Sequence, residues 1–410
     1  MTRFAPADLT ELRDQIAWAL AAQEPVELVG GGSKRRLGRP VQAAHQLDLT
    51  RLSGIRDYAP SELVLTAGAG TSLAEIERVL EDAGQMLAFE PPDWRGLLAP
   101  DVGRDTGGPT LGGVLACNLS GPRRIKAGAA RDHFLGFRAV SGRGEMFKAG
   151  GKVIKNVTGY DLPKLMAGSY GSLAALEEVT IKVLPRPETV ATVLFTNLDP
   201  AAASRLMTAA LGSPHEVSGA AYLPAGAGIV SAVPEGDGAV ALRLEGPAPS
   251  VEFRRDSLAR DHGAGHVLEV LEGSEAIALW RAIGEAAPLS GLAGRAIWRI
   301  SVAPARGAEL GQVLARALDA VWFLDWGGGL LWIAVAEAGD AGAEIIRAAI
   351  HGPDGHDTGH ATLSKGSPAL RGSVAVFEPQ PAPLAALSRR VKDAFDPAHI
   401  LNPGRMVEGS

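Results

Sequence analysis

A chain of 410 residues with 46% hydrophobic and 21% charged side chains has material for two or three domain cores. Its net charge of −6 and the lack of a basic block interleaved with aromatics argue against nucleic acid as a partner. One cysteine, Cys117, excludes an intramolecular disulfide and leaves too few thiolates for an iron–sulfur cluster. The N-terminal stretch, with Arg3, Asp8, Glu11, Arg13 and Asp14, has no apolar signal core. No run approaches the roughly 18 apolar residues needed to span a bilayer. A cytoplasmic protein that meets a membrane only through a partner is expected.

In chain order, Asp8 and Glu11 make a capping-box-like start for a first helix with an apolar face of Leu9, Leu12, Ile16 and Leu20. Val26 to Val29 reads as a short strand entering Gly30-Gly31-Gly32-Ser33, a tight loop that gathers main-chain N–H groups at a strand end. The loop lacks both the Gly-Lys-Ser/Thr ending of a Walker loop and the helix-opening spacing of a dinucleotide fingerprint. Strands follow at Gln46 to Leu49 and Glu62 to Ala67. Ser72 and Glu75 cap a helix buried along Leu73, Ile76, Val79, Leu80 and Ala83, and Gly84 stops it. Phe89-Glu90-Pro91-Pro92 closes this first α/β lobe.

Glycine density then peaks between Gly107 and Gly171. The passage holds Gly107-Gly108-Pro109-Thr110-Leu111-Gly112-Gly113, Asn118 to Arg124, Lys155-Asn156-Val157-Thr158-Gly159-Tyr160-Asp161 and Gly168-Ser169-Tyr170-Gly171. From Gly121 to Lys155 nine Arg or Lys face only Asp132 and Glu145. Such a basic, glycine-rich strip in an acidic protein suits a phosphate-bearing ligand, although a partner surface or plain solvent would fit it too. Strands are expected at Phe134 to Val140, Glu145 to Lys148 and Leu176 to Leu184, with Pro185-Arg186-Pro187 as a boundary.

Beyond that boundary the pattern becomes β-α-β-β-α-β: Val190 to Phe195, a helix from Asp199-Pro200 to Leu211, Ala220 to Leu223, Ala239 to Leu244, a helix at Val251 to Arg260, and Val267 to Leu271. A looser second pass uses Trp298 to Val302, Leu310 to Leu318, Trp322 to Leu324, Leu331 to Val335 and Ala343 to Ala349. A strand at Val374 to Phe377 and a helix at Leu384 to Phe395 finish the chain.

Four features together resemble the flavoprotein family of vanillyl-alcohol oxidase, or p-cresol methylhydroxylase (PCMH), type. They are Val29 to Ser33, the run Gly112-Gly113 to Gly121, Arg131-Asp132, and Phe395-Asp396-Pro397 with Leu401-Asn402-Pro403-Gly404. Leu119 to Arg124, Lys155 to Asp161 and Gly168 to Leu173 further resemble the FAD-binding E subunits of bacterial glycolate oxidases. The resemblance implies an α+β fold with a two-lobed PCMH-type FAD-binding domain in 1–187, its lobes about 1–92 and 93–187. It adds a ferredoxin-like antiparallel cap, or substrate, domain in 188–358 and a segment 359–410 returning to the FAD domain. It implies a pyrophosphate held between Gly30, Gly31, Gly32, Ser33 and the passage with Gly108, Thr110, Gly112, Gly113, Asn118, Ser120 and Gly121. Arg131, Asp132 and Asn402 would add to the cofactor site, with the adenine and ribose side near Gly171, Ser172, Glu178 and Val179. Asn156 and Tyr160 would face the flavin ring or a partner, or simply form a turn.

Departures from the family pattern bear on function. Ser33 and Lys34 stand where members with covalent flavin often carry His, and Cys117 sits in the apolar run Val114-Leu115-Ala116, so FAD is expected to be non-covalent. The Gly-Asp-Gly-Asn-x-His motif of relatives that oxidise 2-hydroxy acids is missing. His351, His356 and His360 fit neither H-E-x-x-H nor zinc-finger spacing, so no metal is expected. His360, in the E-subunit-like Gly359-His360-Ala361-Thr362-Leu363, is the candidate base. The resemblance implies a subunit of a complex that oxidises glycolate to glyoxylate with an acceptor other than oxygen. Its companions would be a homologous flavoprotein catalytic subunit and an iron–sulfur subunit. Two alternatives stand beside it: a self-sufficient FAD-dependent 2-hydroxy-acid dehydrogenase using His360 or an arginine such as Arg295 or Arg299, and a structural subunit with a non-catalytic flavin site.

Overall fold

The computed structural model describes residues 2–99, 107–152, 159–225, 238–263, 266, 268–352 and 359–409. The expectations on 155–158, Val267 and His356 lie outside the described residues.

The Asp8 carboxylate accepts the N–H groups of Thr10 and Glu11 and so starts the helix Leu9–Ala22. Its Leu12, Ile16 and Ala19 are fully buried against a small parallel sheet ordered Thr2–Phe4, His45–Asp48, Val26–Val29. A second, antiparallel sheet runs Ile55–Ala59, Val64–Gly68, Ala174–Lys182, Phe134–Ser141, Met146–Gly150. Val64–Gly68 pairs along its length with Ala174–Lys182, so this sheet draws strands from both sides of the expected border near residue 92. Local spacing carries no trace of that long-range pairing. Gly112 and Gly113 also differ from expectation. They lie inside a helix, Leu111–Cys117, where Gly112 packs so closely on Ala69 that a Cβ would stand 2.7 Å from the alanine methyl. There glycine serves close packing and not a turn.

The cap is one eight-stranded sheet ordered Leu268–Glu272, Thr189–Leu198, Gly238–Gly246, Gly219–Leu223, Val321–Asp325, Leu330–Ala336, Arg295–Val302, Gly359–Lys365. Each half has its first strand between its third and fourth, which is the ferredoxin-like order, and the halves join where Tyr222 faces Leu324. Gly359–Lys365 is the fourth strand of the second half, so the return to the FAD lobes begins after it and not at residue 359. Val374 to Phe377 forms no strand. It follows the helix Pro368–Ser373 and gives the sheet a single bond, from the Leu363 N–H to the Val376 carbonyl.

Strand periodicity sorts the cap side chains between two faces. Ala296, Trp298, Ile300 and Val302 pack beneath the helices Pro200–Leu211, Ala248–His262, Pro304–Leu318 and Ala343–His351. The other face, with Ile297, Phe323 and Trp332, shares one core with the antiparallel FAD-side sheet. Arg243 and Arg299 also lie on this inner side, where Arg243 meets Glu90 and Arg299 meets Trp326. Polar side chains in such a place need partners.

Candidate functional site

A cleft opens where the end of Val26–Val29 meets the helix Leu111–Cys117 and the Tyr170-Gly171 turn. Gly30 to Ser33, Thr110, Gly112, Gly113, Gly171 and Asn402 line it, as do Lys34, Cys117, Tyr170 and Arg405. Among the described residues, no hydrogen bond occupies the main-chain N–H groups of Gly30 through Ser33. Four donors left free at a strand end suit a bound diphosphate. At Gly31 the loops touch main chain to main chain, for a Cβ there would overlap the Gly108 carbonyl. A Cβ on Gly32 meets nothing within 4 Å, so the free space lies on that side. The donors on the helix side are already used. The Gly112 N–H bonds the Ala69 carbonyl at 2.8 Å, and the Gly113 N–H bonds Thr110 Oγ1 at 3.3 Å.

Asn402 braces the cleft more than it decorates it. Its Oδ1 accepts the Leu28 N–H at 2.8 Å and its Nδ2 donates to the Tyr170 carbonyl at 2.8 Å, tying the glycine strand to the Gly171 turn. Asp396, wholly buried, accepts the N–H groups of Ile400 and Leu401 and an ion pair from Lys392. Arg405 reaches the carbonyls of Arg35 and Leu37 and pairs with Glu27 at 3.0 Å. The C-terminal motif is thus a buckle across the first lobe.

The remaining expected cofactor residues stand outside the cleft lining, and their polar groups serve local structure. Asn118 accepts the Arg131 N–H, Ser120 the Ala130 N–H and Asp132 the Ala129 N–H. Gly121 packs under Glu90, the Ser172 hydroxyl bonds the Ser169 carbonyl, Glu178 pairs with Arg138 at 3.4 Å, and Val179 is core. Tyr160 is 95% exposed, which places it away from a buried ring.

Lys34 was missed by sequence reasoning, although its place after Ser33 was visible. Burial pushes its ammonium down to about 8, and Asp93, whose carbonyl it contacts, opposes the shift. Burial drives the Cys117 thiol up to about 11, so it stays protonated at neutral pH. Most of the basic strip is paired internally: Arg123 with Glu245 at 2.5 Å, Lys126 with Glu216, Arg138 with Glu177, and Lys152 with Asp57. Arg124 is different. Its guanidinium lies 4.2 Å from the centre of the Trp326 ring, and Arg299 reaches the same ring at 4.7 Å. His360 belongs to this neighbourhood. Although the side chain is exposed, partial loss of hydration and the charges of Arg299 and Arg124 push its imidazole below the ordinary histidine value against the pull of Glu378, so it is neutral at pH 7. His351 instead pairs with Glu378 at 2.9 Å. No cluster of three metal-binding side chains occurs among the described residues.

Residues 3–150 match the family model for an FAD binding domain, and 379–406 match that for the C-terminal domain of FAD linked oxidases. Over 396 residues the chain is 35% identical to glycolate oxidase subunit GlcE of Escherichia coli strain K12, covering 96% of each chain. The chain belongs to the FAD-linked oxidase family. It is also 29% identical to glycolate oxidase subunit GlcD of Bacillus subtilis over 48% of this chain and 40% of that one. Among solved structures, p-cresol methylhydroxylase with substrate bound superposes with a TM-score of 0.71 at 15% identity, covering 99% of this chain and 88% of that one. That likeness shows the fold: a PCMH-type FAD-binding domain with an antiparallel cap. The cleft fits the cofactor, since the unpaired N–H groups of Gly30 through Ser33 are what a diphosphate needs.

Proposed function

We propose that this family member is the FAD-binding subunit of a glycolate oxidase that converts glycolate to glyoxylate with an acceptor other than oxygen. The observation that carries this reading is the free-donor loop Gly30 to Ser33, in a chain similar along 96% of its length to a glycolate oxidase subunit. FAD, when bound, supplies a two-electron acceptor for the C–H bond of the substrate's CH–OH group. The amides of Gly30 through Ser33 and the Lys34 ammonium hold the diphosphate, while Asn402 and Arg405 keep the loop in shape. Neutral His360 takes the hydroxyl proton.

The units run from residue 1 to about 187 and from 188 to about 365, after which the chain returns to the first lobe. FAD is held without a covalent bond, because the half-buried Cys117 thiol stays protonated; acid precipitation should release all flavin into the supernatant. Partial likeness to a second glycolate oxidase subunit supports a homologous flavoprotein partner, and an iron–sulfur subunit would carry electrons onward. No helix among the described residues is long and apolar enough to cross a membrane, and contact with one would come through partners. Glycolate-dependent dye reduction, assayed on the chain alone and on its complex, tests the proposal. Activity in the complex that disappears with His360→Gln agrees with it. Unchanged turnover in that variant refutes the role given to His360, and no glycolate turnover in either preparation refutes the reading itself.

A further inference from the structure

The described arginines at the domain boundary fall into two groups. Arg243 pairs with Glu90 at 2.7 Å and Arg123 with Glu245 at 2.5 Å. The guanidinium groups of Arg299 and Arg124 have no hydrogen-bond or ion-pair partner among the described residues, and the Arg299 Nε is buried without any acceptor. Both guanidiniums lie against Trp326, so they stand no further apart than the sum of their distances to that ring. Two like charges held this close without a counter-ion oppose folding, and an anion between them would relieve the repulsion.

The surroundings fix what the anion can be. Trp332 faces Arg299 across the sheet register and lies 6.0 Å from its guanidinium, giving the site a second aromatic wall. Trp326 is locked in place: its φ is +54°, its N–H donates to Asp325 and its Nε1 donates to the Gly121 carbonyl at 3.1 Å. A bulky residue held at positive φ is unusual and fits a functional constraint. Of the acids in electrostatic range, Asp132 makes no ion pair with Arg124 and accepts the Ala129 N–H, while Asp325 is fully buried; burial pushes it up to about 7, so it is a weak counter-charge. Burial and the Arg124 charge lower Arg299 to about 10, which still leaves it cationic at neutral pH. Tyr170 lies within electrostatic range of Arg299 and lines the glycine cleft, so the two regions adjoin. His360 faces Ser301 on the neighbouring strand, two residues from Arg299, so it shares that face of the sheet.

Resting on the oxidoreductase reading above, we propose that Arg299 and Arg124, set on the Trp326 ring, bind the carboxylate of a small 2-hydroxy acid on this chain. A planar guanidinium meets a carboxylate with two parallel hydrogen bonds, and the aromatic walls restrict the site to a small, flat anion. The hydroxyl-bearing carbon then lies between the arginine pair and His360, next to the cofactor cleft.

Calorimetric titration of the full-length, flavin-containing chain with oxalate, a flat dead-end carboxylate, tests this. The chain should bind oxalate saturably. Arg299→Met and Arg124→Met should each weaken binding at least tenfold, Arg299→Lys should fall between, and all three should retain wild-type flavin content. Unchanged oxalate binding in both Met variants overturns the proposal, as does a flavin-loaded wild type that binds no oxalate. Inorganic phosphate bound as tightly, with the same arginine dependence, overturns the carboxylate assignment. A lowered flavin potential in Arg299→Met with oxalate affinity unchanged also overturns it, because the pair would then face the cofactor. Should the chain carry no flavin, the cofactor reading fails separately, and the oxalate titration of the apoprotein still decides the arginine site.

Discussion

Gly31→Ala is the substitution that the cleft geometry judges most severely. A Cβ at Gly31 would overlap the carbonyl oxygen of Gly108 and stand 3.0 Å from its carbon and 3.1 Å from the Gly107 carbon. All three are main-chain atoms, so no side-chain rotation offers an escape, and the loops must separate by roughly 1.5 Å to reach an ordinary C···O contact. Over-packing of this kind costs about 1–3 kcal/mol, and the displaced backbone carries the amides meant for the diphosphate. About 3 kcal/mol corresponds to a loss of roughly a hundredfold in cofactor affinity. The assay is flavin retained per chain after gel filtration, read as the ratio of visible to ultraviolet absorbance, together with the melting temperature. Gly32→Ala is the control. Gly32 has φ +80° but open space around its Cβ position, so it should cost only about 1 kcal/mol of backbone strain and keep most flavin. Equal flavin content in Gly31→Ala and wild type would refute the cleft assignment.

Three further expectations concern charges. Arg243→Met leaves Glu90 and Glu245 to share Arg123 alone at the domain boundary and should destabilise the chain by about 3 kcal/mol in urea unfolding; a loss below about 1 kcal/mol would contradict the clamp. Burial alone would raise Glu245, but Arg243 and Arg123 outweigh it and hold the carboxyl down to about 2. Its stabilisation is therefore complete above its ordinary value of 4.5 and is lost as pH falls toward 2; melting curves across that window should slope less in Glu245→Gln. The depressed Lys34 gives a third. Its ammonium in the free cleft discharges near pH 8, so FAD rebinding to apoprotein should weaken as pH rises through 8, and Lys34→Met should remove that dependence.

Much of the fold was legible because its signals are local. Asp8, Ser72 and Asp199 each cap the helix that follows them, and apolar periodicity gave the first pass of the cap in order and the second as far as its fourth strand. Thr2–Phe4 and Ile55–Ala59 escaped because they are short and largely exposed edge strands without alternation. The helix Leu111–Cys117 was hidden by its glycines, whose packing role against Ala69 exists only once two segments meet. The same limit applies to the site. The loop Gly30 to Ser33 announces itself by composition, whereas the isolation of Arg124 and Arg299 emerges only after every neighbouring arginine has been matched with an acid. Asn402 shows the converse: the motif was visible, and its bracing role required the Leu28 and Tyr170 contacts.

The most direct test of the account is the anaerobic visible spectrum of the purified full-length chain before and after glycolate is added. The account predicts a flavin spectrum that bleaches with glycolate, alone or in the presence of its partner subunits. A chain that never acquires flavin, even with those partners, or a flavin that glycolate leaves oxidised in every preparation, would contradict it.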